Sequence, residues 1–108
     1  MHVHDILKTV SKFYGVEPEI VLSSNRSQIT CKVRDVWTYI LSKGGRSTTD
    51  VSKITKRERS SVSHSLIRTR RALKEDDSFR QDVLFLLNIT RQQRMIVTGK
   101  HRSLIDLP

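Results

Sequence analysis

Residues 55–64, TKRERSSVSH, place Lys56, Arg57, Glu58 and Arg59 directly ahead of the hydroxyls of Ser60 and Ser61, and the chain turns apolar at Val62. Each of these polar types has a natural partner on the edge of a base pair. An arginine fork donates two hydrogen bonds to guanine O6 and N7, a glutamate accepts from cytosine N4, and a serine serves either way. A helix that opens here also presents unpaired backbone N–H groups, which suit a phosphate. The same residue types form the wet side of ordinary helices, and Ser60 alone reads equally well as a helix cap. The stretch therefore supports two readings, a solvated helix entrance or a face aimed at an anionic partner.

Other cations fit the second reading. At about 100° per residue, His64, Arg68 and Arg71 lie opposite the Val62–Leu66 stripe, as a basic row within reach of phosphates. Arg26 sits among small polar residues in SSNRSQIT. A loop arginine of this kind suits a narrow minor groove, although a solvated turn is the plainer alternative. Lys32 and Arg34 fall in the opening of the helix that follows, where cations oppose the helix dipole unless an anion lies nearby.

Composition narrows the partners. The chain has 108 residues, enough for one domain with a modest core. Its 20 Lys and Arg against 11 Asp and Glu give a net charge of +9. That balance favours polyanions, with nucleic acid first and an anionic membrane surface second. The single cysteine, Cys31, cannot form an internal disulfide, which fits a cytoplasmic chain and a small buried filler. No run reaches the roughly 20 apolar residues that span a bilayer, and the start MHVHDILKTV carries no secretory pattern. His2 and His4 lack the clustered ligands of a structural zinc site. Ser63 and His64 are sequence neighbours without an oriented acid, so no catalytic constellation is legible and neither enzyme nor cofactor is expected.

Helical spacing must position these groups. Ile6, Leu7, Val10, Phe13 and Tyr14 form one stripe, with Asp5 as the expected N-cap and Gly15 as the stop. EPEIVL reads as a single turn with Pro18 at its first position. Residues 23–30 read as a loop, and a long helix from Thr30 carries Val33, Val36, Trp37, Ile40 and Leu41 up to Gly44–Gly45. Ser47 with Asp50 resembles a capping box, with Val51 and Ile54 facing inward. Val62, Leu66, Thr69 and Leu73 mark the next helix, and Phe79, Val83, Leu86 and Leu87 the last, starting near Asp77–Ser78. The class is all-α, a compact helical bundle over residues 1–90. Residues 91–108 form a basic C-terminal extension that either docks or frays. Segments 47–54 and 59–74, joined by TKRE, have the proportions of a helix-turn-helix, whose second helix reads the major groove with its first residues.

Two longer stretches, ILKTVSKFYGVEPEIVLSSNRS and TDVSKITKRERSSVSHSLIRTRRAL, resemble the C-terminal DNA-binding domain of the bacterial replication initiator DnaA, a Trp-repressor-like helix-turn-helix domain. The resemblance covers roughly residues 4–90. It implies that Arg26 is the minor-groove arginine, Arg57 the leading arginine of the signature and Glu58 its acidic base reader. It further implies that Thr48 and Thr49 lie in the segment that touches thymine methyls. Arg59 stands where the family has histidine, Ser60 and Ser61 where it has two threonines, and Asn25 and Gln28 where it is usually basic. The connection at Gly44–Arg46 is slightly shorter. These departures imply duplex DNA binding at a site other than the initiator's usual box. The initiator's ATPase is a separate domain, and no phosphate-binding loop is legible here.

The expected function is a sequence-preferring, nucleoid-associated duplex DNA module in replication or transcription control. In it Arg26 probes the minor groove, Arg57 to Ser61 read the major groove, and Lys32, Arg34, Arg68 and Arg71 hold phosphates. Two rivals stay open: a structured-RNA binder, and a protein-interaction module that docks a partner through residues 91–108.

Overall fold

The structure, a computed structural model, describes residues 2–90. The expectation for residues 91–108 lies outside the described residues. Six helices follow one another: α1 (Val3–Tyr14), α2 (Pro18–Leu22), α3 (Gln28–Lys43), α4 (Thr48–Thr55), α5 (Arg59–Glu75) and α6 (Asp77–Thr90). The all-α class holds, with no strand among the described residues.

Local chemistry explains most boundaries. α1 begins earlier than Asp5 implied, because the His2 ring accepts from the His4 N–H at 3.3 Å and caps it. Asp5 then falls inside the first turn, where its charge still complements the dipole. Gly15 ends the helix at φ 73°, and the Val16 N–H returns to Ser11 O at 2.9 Å, closing a Schellman turn. α3 likewise starts two residues before Thr30, since the Ser27 Oγ accepts from the Thr30 N–H at 3.3 Å. Ser47 caps α4 through the Asp50 N–H at 3.1 Å, as the spacing suggested. Asp76 caps α6 through the Phe79 N–H at 3.0 Å.

α3 is the hub around which α1, α2, α4 and α5 pack. Val33, Val36, Trp37, Tyr39, Ile40 and Leu41 are all buried along it. Full burial of one such aliphatic side chain is worth roughly 1.5–3 kcal/mol, so this one helix organises much of the core. The indole N–H of Trp37 reaches Val3 O at 3.4 Å and ties α3 to the start of α1. Val51 of α4 and Val62 of α5 are both fully buried, which fixes the angle of the turn between them.

Three residues depart from expectation. Phe13 is 40% exposed, because it lies at the α1–α6 seam beside Phe85, with ring centres 5.8 Å apart. Ile54 packs on the edge of the core rather than within it. Cys31 is half-buried rather than a core filler, with its sulfur 3.9 Å from Arg34 Nη1. Among the described residues no helix is long and apolar enough to cross a membrane.

Candidate nucleic-acid interface

The entrance of α5 follows from its turn. Lys56 ends α4 in the left-handed region at φ 56°, and the Arg57 N–H bonds Ser52 O at 3.1 Å. The Ser52 hydroxyl donates back to Arg57 O, so the turn is closed from both sides. Glu58 occupies the N-cap position but makes no side-chain cap bond, leaving its carboxylate exposed. Arg59 is the first helical residue and Ser60 the second, so Ser60 is not the cap that the sequence also permitted. The first turn of α5 has no acidic residue, and an anion would complement its dipole. Arg59 and Ser60 are exposed, and Ser61 is half-buried.

Beside this entrance lies a cleft of about 850 Å³, bounded by the α2–α3 loop on one side and the α4–α5 turn with the first half of α5 on the other. Arg26, Arg34, Lys56, Arg57, His64 and Arg68 line it. The half-buried Arg57 has its Nη1 enclosed without a hydrogen-bond partner among the described residues. Burial, and then the nearby charge of Arg34, pull the Arg57 guanidinium below its usual pKa. Cations crowded into a concavity focus a positive potential, which suits one strand of a polyanion. Among the described residues no three His, Cys, Asp or Glu side chains gather to hold a metal.

The sequence-derived residues divide by what holds them. Arg26 is exposed on the cleft rim, and Arg71 is exposed further along α5; neither has a side-chain partner among the described residues. Thr48 and Thr49 are exposed in the first turn of α4, and His64 is exposed on α5. The three other cations assigned to phosphates are engaged within the protein. The Lys32 ammonium lies 5.6 Å from the Tyr14 ring centre and 5.3 Å from that of Phe79, on the side of α3 turned toward α1 and α6. Arg34 donates to the main-chain carbonyls of Val21, Ser23 and Asn25 at 2.9–3.1 Å. Arg68 grips Asp35 through Nη2 at 3.0 Å and Nε at 3.3 Å. That hydrogen bonding, reinforced by the carboxylate's charge, raises the Arg68 pKa.

Sequence reasoning passed over three residues here. Asp35 bridges α3 to α5, accepting from Arg68 and from the buried Ser65 hydroxyl at 2.5 Å. Their separation of 30 or more residues leaves no periodic signal. Ile67 is 53% exposed on the same face as Ser60, His64 and Arg71, an apolar side chain off the buried stripe that the 3.6-residue period does flag.

Comparison with curated proteins returns no match. A family profile, that of the bacterial DnaA protein helix-turn-helix, matches residues 3–68, from α1 through the cleft-lining half of α5. The chain thus belongs to the bacterial DnaA helix-turn-helix family, whose fold is a DNA-binding one.

Proposed function

We propose that this chain reads duplex DNA with sequence preference and without nucleotide hydrolysis of its own, in replication or transcription control at the nucleoid. Arg57, Glu58, Arg59, Ser60 and Ser61 meet base edges in the major groove, with Thr48 and Thr49 beside them. Arg26 enters the neighbouring minor groove. The phosphate strand between the two grooves lies in the cleft, facing Lys56, His64, Arg68 and the charge of Arg34, while Arg71 meets a phosphate further along α5. One observation carries this reading: an unpartnered arginine on one cleft rim faces the uncapped, cation-led start of a recognition helix on the other. A permanent arginine fork at position 59 favours guanine, so the preferred site differs from one read by a neutral ring.

Selection from a random duplex pool, followed by anisotropy titrations, tests the proposal. With about five phosphates engaged, log K falls against log salt with a slope of about −4 to −5. Arg59→Ala costs roughly 1–3 kcal/mol at one base pair and relaxes preference there. A flat salt response, no enriched motif, or displacement of the duplex by an RNA hairpin at equal salt refutes the proposal.

A further inference from the structure

We infer that Arg34 is a positioning residue for Arg26: it fixes the shape of the α2–α3 loop and so sets where the minor-groove arm stands relative to α5. The inference rests on the duplex reading above. One guanidinium gathers three carbonyls. Val21 O accepts from Nε at 3.1 Å and from Nη2 at 2.9 Å, and Ser23 O and Asn25 O accept from Nη2 at 3.0 and 3.1 Å. These carbonyls run from the last turn of α2 to the residue just before Arg26.

The loop's own bonds are short-range. The Asn25 N–H donates to Ser23 Oγ at 3.1 Å, and the Ser27 N–H to Asn25 Oδ1 at 3.0 Å. They curl the chain around Arg26; Ser27 ties the far end to α3 as its N-cap, but the bonds of residues 23–25 stay within the loop and the adjoining turn of α2. Arg34 anchors that near side, before Arg26, because it projects from α3, the helix against which the core packs. Arg26, between tied neighbours, keeps its own guanidinium without a partner among the described residues. A planar fork spreads donors over several acceptors, whereas a lysine ammonium is a compact point charge on a flexible stem. Lysine at 34 therefore keeps the cleft's charge and loses the anchor. A phosphate ligand and a loop anchor give opposite results on that substitution.

The test uses Arg34→Lys and Arg34→Gln, each alone and with Arg26→Ala, titrated by anisotropy against the selected duplex at several salt concentrations. Amide exchange of Asn25 and Ser27 is followed in the free protein, with Trp37 emission confirming the fold. R34K is expected to weaken binding roughly tenfold with its salt slope unchanged, and to speed loop exchange to a similar degree. In the Arg26→Ala background the same substitution changes affinity by less than twofold. Wild-type affinity in R34K, or an equal loss with and without Arg26, overturns the inference. Unchanged loop exchange in both R34K and R34Q overturns the anchor itself. Failure of the wild-type chain to bind any duplex instead overturns the duplex reading, a separate result.

Discussion

Asp35→Ala should destabilise the fold more than the loss of its visible ion pair would. The Arg68 side chain is 57% exposed and that of Asp35 17% exposed, so the pair itself lies toward the solvent side. Exposed pairs of this kind contribute roughly 0.2–1 kcal/mol. Ser65 is different, being fully buried with its hydroxyl donating to Asp35 Oδ1. Removing the carboxylate leaves that hydroxyl without its acceptor, at a cost of about 1–3 kcal/mol. Together the two losses give about 1–4 kcal/mol, whereas Arg68→Ala, which leaves the Ser65–Asp35 bond in place, costs about 1 kcal/mol or less. Urea denaturation followed by Trp37 emission measures both, since the single tryptophan is buried in the core on α3 and reports loss of the fold. In the double variant Asp35→Ala/Ser65→Ala the buried hydroxyl is gone, and part of the loss returns. The reasoning is refuted if Asp35→Ala costs no more than Arg68→Ala, or if adding Ser65→Ala restores nothing.

Lys56→Gly separates stability from binding. Relief of the left-handed strain, about 1–2 kcal/mol, offsets the entropic cost of glycine, about 0.5–1 kcal/mol, so the variant gains up to about 1.5 kcal/mol in the same urea assay. Its DNA salt slope should become shallower by about 0.9, because a cleft cation is lost. Gly15→Ala places a side chain at φ 73° in open space, and the urea midpoint should show a loss of about 1 kcal/mol from backbone strain alone. Alkaline pH provides another check, because burial holds the Tyr39 hydroxyl protonated up to about 12 and pushes Tyr14 up as well. An unfolded tyrosine ionises near pH 10, so from there upward the unfolded chain releases a proton that the native one retains. Stability is unaffected below about pH 10 and falls by up to about 2–3 kcal/mol for Tyr39 as pH rises through the folded value. Tyrosinate absorbance should then appear together with the loss of the Trp37 signal; ionisation of both tyrosines in the folded protein near pH 10 would contradict their burial.

Sequence alone determined the helices, because each buries a stripe whose 3.6-residue period is written in residue type, and because Gly15, Pro18 and Ser47 stop or start helices by local chemistry. It also determined the helix-turn-helix and the family, since the TKRE turn and the Val62 stripe lie within one contiguous stretch. Boundaries slipped where an unremarked side chain capped first, as His2 and Ser27 do. Tertiary structure alone decided the fate of each cation. Periodicity places Arg34, Arg68 and Lys32 on helix faces but cannot name what faces them across the fold. Loop carbonyls satisfy Arg34, a carboxylate on α3 satisfies Arg68, and two aromatic rings flank the exposed Lys32. Long-range packing brings those partners within reach, and it leaves Arg26 and Arg59 exposed.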